Sequence, residues 1–169
     1  SHASLHSNCL PAFFGLVPKG SEGTVAQILL QKGLCCGVYM AYFLLKGLAR
    51  LGEYDAVYRL LTDQGKNSWY NMVREGGTTC FEAWGKDQKV NTSLCHPWAS
   101  APITVLIEDL AGLYPKSPGE EWDFFPRLPK TLEQFSLSVP FPDEILQLHY
   151  SNGDFTVSHH KKSNTNEDS

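Results

Sequence analysis

The segment 37–51 most constrains how this chain can fold, because it predicts a helix with apolar side chains on nearly every face. Those side chains are Val38, Tyr39, Met40, Tyr42, Phe43, Leu44, Leu45 and Leu48. A helix at the protein surface keeps a polar stripe toward water, whereas one that is apolar all round is expected to be buried on more than one side. The chain, or partners outside it, must therefore cover this helix from several directions.

Helical patterns surround this segment, and glycine-rich loops join them. The predicted elements are an apolar stretch over 10–17, a helix that ends at Gly33, an amphipathic helix over 53–62, a short helix over 67–73 and a last helix between Pro102 and Gly112. Apolar residues in these segments recur at three- and four-residue spacing, which is the period of an α-helix. Residues 1–115 are therefore predicted to form a mainly α domain of paired helices.

The character of the chain changes after Pro115, where prolines become frequent and short strand patterns replace the helical ones. Strands are predicted at 124–125, 135–139, 145–150 and 155–157. Residues 151–154, Ser-Asn-Gly-Asp, predict a hairpin turn, because Asn-Gly readily takes the left-handed backbone angles of a tight turn. Residues 116–158 are therefore assigned to a β-strand segment, and the polar residues 159–169 to a disordered tail.

Composition and charge exclude several functional classes. The net charge is −4 and no basic stripe is present, which argues against nucleic acid as a partner. Charge or glycine interrupts every apolar run before it reaches the length of a membrane span, so no membrane partner is predicted. The five cysteines include no pair with zinc-like spacing, and neither a metal nor another cofactor is predicted.

Residues 76–84, Gly-Gly-Thr-Thr-Cys-Phe-Glu-Ala-Trp, place one carboxylate, Glu82, between two large aromatic side chains. The two glycines permit turn geometries that are closed to other residues. Glu82 and Trp84 would share one side of the backbone if the segment were extended, because side chains alternate along a strand. Burying an unpaired charge is costly, so an acid in this setting has a specific partner or performs chemistry.

A second cluster follows at 93–102, where His96 and Trp98 precede the last predicted helix. An acid, an imidazole and two indoles that come from loops between helices resemble a carbohydrate site, since large amphipathic rings suit packing against sugars. Each residue also has a structural interpretation. Glu82 could pair with Arg74 or cap a helix, the imidazole could bond to the backbone at a helix start, and the indoles could belong to the core.

Four segments together resemble the bacterial α-L-rhamnosidases of glycoside hydrolase family seventy-eight. The string at 76–84 looks like the family's Gly-x-Thr-Thr-x-x-Glu-x-Trp signature, and Ser-Leu-Cys-His at 93–96, with 98–102, looks like the segment that follows it. Leu-Ala-Gly-Leu-Tyr-Pro at 110–115, with Pro118 and Gly119, is similar to the exit from the catalytic barrel into a C-terminal β-sandwich. The residues around 6–10 and 14–18 resemble the opening of an earlier helical hairpin.

This resemblance implies that residues 1–115 are the C-terminal part of an (α/α)6 six-hairpin barrel, and that 116–158 begin a β-sandwich. It gives Glu82 the place of the general base, which would activate water for attack on the anomeric carbon with inversion. It makes His96, Trp84 and Trp98 substrate-binding residues for a terminal α-L-rhamnoside.

The chain departs from the family in one respect. The family's general acid comes from an upstream acidic stretch, for which no counterpart is found, and one carboxylate cannot be both acid and base in a single inverting displacement. The chain is therefore expected to be a fragment that is inactive or nearly so alone. A partial barrel would expose helix faces meant for missing partners, so a homo-oligomer is expected. The bacterial resemblance leaves a cytoplasmic or periplasmic location open.

Two other functions remain open from the sequence. The first is another six-hairpin glycosidase or lyase with a different sugar specificity. The second is a non-catalytic carbohydrate-binding or assembly module that uses the same aromatic residues without turnover.

Overall fold

The computed structural model describes residues 3–117 and 121–162. Its helices are α1 (Leu5–Phe14), α2 (Glu22–Lys32), α3 (Val38–Arg50), α4 (Tyr54–Leu61), α5 (Trp69–Arg74), a 3₁₀ turn (Pro97–Ala99) and α6 (Ala101–Thr104), which continues as a π-helical segment (Val105–Leu110). Its strands are β1 (Leu113–Ser117), β2 (Glu121–Phe124), β3 (Gln134–Pro140), β4 (Glu144–Ser151) and β5 (Asp154–Lys161). The predicted order, a helical part followed by a β part, is confirmed.

The chain divides into two compact units. One comprises the chain up to Leu113 together with Phe124–Pro129, and the other comprises Tyr114–Asp123 together with the chain from Lys130 onward. Two members of the sequence resemblance, Pro118 and Gly119, lie outside the described residues.

Helix α3 is the centre of the helical unit. It packs against α1, α2, α4, the 3₁₀ turn, α6 and the π-helical segment. Leu44, Leu45 and Leu48 are completely buried, as expected for a helix that is apolar on most of its surface. Gly47 lets α1 approach closely, because a Cβ atom there would lie 3.2 Å from the Cβ of Ala12. The neighbours that the sequence requires for α3 are therefore supplied largely by this chain.

One charged side chain of α3, Lys46, is largely shielded from solvent and joins α3 to the π-helical segment. Its ammonium group forms ion pairs with Glu108 and, at 2.8 Å, with Asp109, and only 11% of its side chain is exposed. Burial alone would lower the pKa of Lys46, but the hydrogen bonds and charges of the two carboxylates outweigh it and raise the pKa. The amine therefore stays charged, and its two ion pairs hold the π-helical segment against α3.

The ends of the helices follow local backbone chemistry. Helix α1 begins at Leu5, well before the predicted stretch over 10–17, because the Ser4 hydroxyl accepts the Ser7 N–H at 3.2 Å and caps the helix. Helix α2 ends at Gly33, as predicted, where the backbone takes a positive φ of 51°. The last predicted helix is α-helical for one turn only, and its remainder is π-helical.

The second unit contains a two-stranded β1–β2 sheet and an antiparallel β3–β4–β5 meander. The predicted hairpin turn is confirmed, since Ser151 pairs with Asp154, and both Asn152 and Gly153 have positive φ. Strand β5 continues to Lys161, so the strand extends into the segment that the sequence assigned to a tail. Residues 163–169 lie outside the described residues.

Within the helical unit, the backbone of Gly112 lies very close to that of Phe125. Its carbonyl accepts the Phe125 N–H at 2.8 Å, its φ is +77°, and a Cβ atom there would lie 2.0 Å from the Phe125 carbonyl oxygen. Gly112→Ala should lower the free energy of unfolding by about 3 kcal/mol or more, from left-handed strain plus a backbone clash. Urea denaturation, monitored by circular dichroism, measures this loss of unfolding free energy.

Gly20→Ala is the matched control, because Gly20 also has a positive φ, +88°, but nothing lies within 4 Å of a Cβ there. It should cost only the backbone strain, about 1–2 kcal/mol. Equal losses for the two variants would contradict the close approach at Gly112.

Candidate active site

The loop between α5 and the 3₁₀ turn carries the predicted acid and histidine. After α5 ends, Gly76 turns the chain with a φ of +80°. The Gly77 N–H then donates to the Met72 carbonyl at 2.9 Å, and a Cβ at Gly77 would lie 2.8 Å from that oxygen and from the Phe81 ring. The two glycines are therefore needed for a turn and for a close approach, which agrees with the role predicted for them.

The stretch that follows is bent, without regular secondary structure, so its side chains do not alternate as they would along a strand. Phe81 and Trp84 are buried and fasten the loop to the helical core. Glu82 lies between them in sequence, yet 19% of its side chain is exposed. The loop therefore uses the two aromatic residues as anchors and leaves the carboxylate accessible.

Contacts within this chain hold both oxygens of the Glu82 carboxylate. One oxygen pairs with the Lys89 ammonium, and the other accepts the Ser93 N–H at 3.1 Å. The Glu82 N–H in turn donates to the Ser93 carbonyl at 2.9 Å. The hydrogen bond from Lys89, followed by the one from the Ser93 N–H, lowers the pKa of Glu82 below its ordinary value. Glu82 is therefore an ionised carboxylate at neutral pH.

The partner of Glu82 is Lys89 rather than Arg74, which the sequence offered as a candidate. Arg74 instead hydrogen-bonds to the Asn71 side chain. Lys89 lies seven residues beyond Glu82 in an irregular loop. Because this segment is neither a helix nor a strand, the spacing of the two residues carried no signal for the pair.

His96 is brought to the same loop by the backbone. Its N–H donates to the Cys80 carbonyl at 2.8 Å, two residues before Glu82, so two stretches of the loop run side by side. The His96 ring lies 4.3 Å, between centroids, from the ring of Trp98. Trp98 is 53% exposed, and its ring lies 5.2 Å from that of Tyr39, which is 51% exposed. The rings of His96, Trp98 and Tyr39 thus form a row at the surface.

Trp84 does not join this row. It is 2% exposed, its indole N–H donates to the Cys36 carbonyl at 2.5 Å, and its ring packs edge-on against Trp69 at 4.9 Å. The prediction that Trp84 offers a face to a sugar is therefore contradicted, because both its faces and its only donor are used inside the core. The substrate-binding roles of His96 and Trp98 stay predictions.

An open cleft of about 350 Å³ lies beside Trp98, between the start of α3 and the 3₁₀ turn. We call it the aromatic cleft; its lining residues include Tyr39, Tyr42, Phe43, Trp98, Ser100 and Thr104. Glu82 is not among its lining residues. The sequence assigned Tyr39 only to the apolar surface of α3, since nothing in the helical pattern distinguishes a half-exposed ring from a buried one.

Two further features bear on ligand chemistry. Within residues 3–117 and 121–162, no three or more side chains of His, Cys, Asp or Glu come together in a group that could hold a metal ion. Over the same residues, no helix has both the length and the apolar character needed to cross a membrane.

Two comparisons with known proteins agree with each other. Residues 1–110 match the model of a family described as the bacterial α-L-rhamnosidase six-hairpin glycosidase domain. A curated α-L-rhamnosidase of Formosa agariphila is 26% identical over 155 residues, which is 82% of this chain and 17% of that protein. The chain therefore spans less than a fifth of the length of this relative.

The Glu82–Lys89 pair predicts a pH effect. Lys89→Met should raise the pKa of Glu82 toward its ordinary value, because the largest cause of its lowering is removed. A group whose pKa is lowered on folding stabilises the fold above its unfolded pKa, and this stabilisation is lost as the pH falls through its folded pKa. The stability difference between wild type and Lys89→Met should therefore be present at neutral pH and vanish in acid. Carboxylate NMR titration and urea denaturation across pH measure the two effects.

Lys66→Met is the matched control, because Lys66 also makes an exposed ion pair, with Asp87 at 3.2 Å. It should leave the titration of Glu82 unchanged. An unaltered Glu82 titration in Lys89→Met would show that this ion pair does not form in solution.

Proposed function

Since this chain belongs to the bacterial α-L-rhamnosidase six-hairpin glycosidase family, we propose that it carries the general-base half of an inverting hydrolase of terminal α-L-rhamnosides. The observation that carries the proposal is the state of Glu82. This carboxylate is ionised, accessible and held by the backbone of its own loop. Such a group can take a proton from a water molecule that attacks the anomeric carbon.

Lys89 has to release one Glu82 oxygen for this chemistry. A carboxylate paired with an ammonium group is a weaker proton acceptor, because the positive charge disfavours its neutral form. The Lys89 side chain is half exposed, so it can leave without disturbing the core. The Ser93 N–H, which belongs to the backbone, keeps the carboxylate oriented after Lys89 has moved.

His96 and Trp98 are the residues that we assign to the sugar. The His96 ring can hydrogen-bond to a hydroxyl, and the exposed Trp98 ring can pack against the sugar and its methyl group. The backbone bond from His96 to Cys80 supports this role, because it brings the imidazole to the loop that holds Glu82.

The general acid is proposed to come from another part of a longer protein. Inverting enzymes place the acid about 6.5–9.5 Å from the base, on the opposite side of the scissile bond. In this proposal the helices of residues 1–115 form the C-terminal part of a six-hairpin barrel, and the strands after residue 115 begin a β-sandwich. The origin of the acid in a longer protein is supported by the match to the relative, which covers only 17% of that protein's length.

Glu82→Gln tests the assigned role. In an enzyme that contains this chain together with its acid, the substitution should lower kcat by about 10²–10⁴-fold, because general-base assistance is lost while shape is kept. Release of nitrophenol from nitrophenyl α-L-rhamnoside measures this loss. The chain by itself should release none.

Glu22→Gln is the control for the loss of one negative charge, since Glu22 is an exposed residue at the start of α2. It should leave kcat unchanged. Full activity of Glu82→Gln, or robust turnover by the isolated chain, would contradict the proposal.

One observation favours a second candidate, a non-catalytic carbohydrate-binding module. Glu82 is engaged by Lys89, as a purely structural acid would be. In that case rhamnoside binding would persist and the complete protein would show no activity that depends on Glu82. The same assay, run beside a binding measurement, separates the two candidates.

Self-association is also part of the proposal. Several large apolar side chains of the helical unit are exposed: Phe14, Leu16, Val73, Ile103 and Leu106. A partial barrel would expose such groups, and exposed apolar patches favour association. We expect light scattering to give a dimer or larger species, and Ile103→Glu to shift it toward monomer. A monomeric wild-type chain at high concentration would contradict this expectation.

A further inference from the structure

We propose that Asn71, within α5, and Glu75, immediately after it, are positioning residues that hold the Glu82 loop in place. We call their two side chains the α5 clamp. Asn71 is 2% exposed and Glu75 is partly buried, so neither is a freely solvated polar group. The consequence for catalysis rests on the proposed function, whereas the contacts of the clamp are observed without it.

The Glu82 loop is attached to α5 on both sides of Glu82. Before Glu82, the Gly77 N–H bonds to the backbone of α5. After Glu82, the Trp84 carbonyl accepts a side-chain N–H of Asn71 at 2.8 Å. Trp84 follows Glu82 by only two residues, so a shift of the Trp84 backbone would also displace the carboxylate.

The other half of the clamp, Glu75, holds the next part of the loop. One carboxylate oxygen of Glu75 accepts the Lys86 N–H at 2.8 Å, and the other accepts a side-chain N–H of Asn71 at 2.9 Å. Gly85 lies between the bonded groups of the loop, and a Cβ atom there would lie 2.8 Å from the Glu75 carboxylate. The loop therefore approaches the clamp closely because glycine has no side chain at this position.

Donor and acceptor chemistry explains why these two residue types occur in the clamp. The oxygen of the Asn71 amide accepts a hydrogen bond from Arg74, and its nitrogen donates to Trp84 and Glu75. Because a guanidinium group has donors only, Arg74 fixes which end of the amide faces the loop. Both oxygens of Glu75 act as acceptors, which a glutamine amide with its single oxygen could not reproduce.

The clamp acts on Glu82 through the backbone. Phe81 and Trp84 anchor the loop through their buried rings, whereas Asn71 and Glu75 bond its main chain. The contacts that hold the Glu82 carboxylate depend on where this irregular main chain lies. A displacement of about 1 Å can slow a well-oriented reaction by about 10²-fold, so the bonds of the clamp bear on the chemistry.

Glu75→Gln tests the clamp, because it keeps the shape of the side chain and removes one acceptor. In this chain, NMR titration should show the pKa of Glu82 rising toward its ordinary value, since a displaced carboxylate loses the hydrogen bonds from Lys89 and the Ser93 N–H. Loss of the negative charge of Glu75 would by itself lower the pKa of Glu82. The direction of the shift therefore separates displacement of the loop from simple electrostatics.

The same variant has an expected effect on turnover. In an enzyme that contains this chain together with its acid, Glu75→Gln should lower kcat by about tenfold to hundredfold and leave KM within about twofold. Asn71→Ala should produce both the pKa shift and the loss of kcat, because the Trp84 carbonyl loses its donor.

Asp87→Asn is the control for the loss of one negative charge in the same loop, because the Asp87 carboxylate pairs with Lys66 outside the clamp. It should leave kcat unchanged and should not raise the pKa of Glu82. A folded Glu75→Gln variant in which the pKa of Glu82 does not rise would overturn the clamp, as would a normal kcat in Glu75→Gln when Glu82→Gln is impaired. A raised pKa together with full activity of Glu82→Gln would support the clamp and contradict the proposed function, so the two proposals can fail separately.

Discussion

The helical unit depends on the burial of α3. This helix carries apolar side chains on most of its surface, and α1, α2, α4 and the final helical segment all pack against it. Its part-buried charge, Lys46, is balanced by Glu108 and Asp109 on the π-helical segment. Removing both carboxylates would leave the ammonium group without an ionic partner, which is destabilising for a charge with little access to water. The covering of α3 thus also sets where the last helix and the turn before it lie.

The candidate site is built on this arrangement without a regular element of its own. Phe81 and Trp84 bury their rings in the core, and the Glu82 carboxylate between them is held by the Ser93 backbone. The 3₁₀ turn, which packs on α3, presents Trp98 beside Tyr39. A loop held by buried aromatic rings and backbone hydrogen bonds can place an acid firmly while leaving it accessible, which a buried helix could not do.

Sequence patterns anticipated the elements better than they anticipated the side chains of the site. Helix α2 ends at Gly33 as predicted, and Asn152-Gly153 forms the expected hairpin turn. The two tryptophans of the site differ from each other: Trp84 is in the core and Trp98 is exposed. Both indoles follow loops rich in small and polar residues, so composition alone could not separate them. The direction of a side chain in an irregular loop depends on bends that only the packing of the loop decides.

The sequence by itself determined that one helix must be covered on several sides and that a helical part precedes a β part, and it predicted roles in a sugar site for Glu82, His96, Trp84 and Trp98. These conclusions rest on period, composition and a short motif, which are local properties. Only the tertiary structure decided that Lys89 pairs with Glu82, that Trp84 is buried, and that Tyr39 joins Trp98 beside a cleft. The physical reason is that each of these contacts involves a residue of an irregular loop, where no repeating pattern fixes the direction of a side chain. The path of such a loop is set by the packing of its buried side chains against the core.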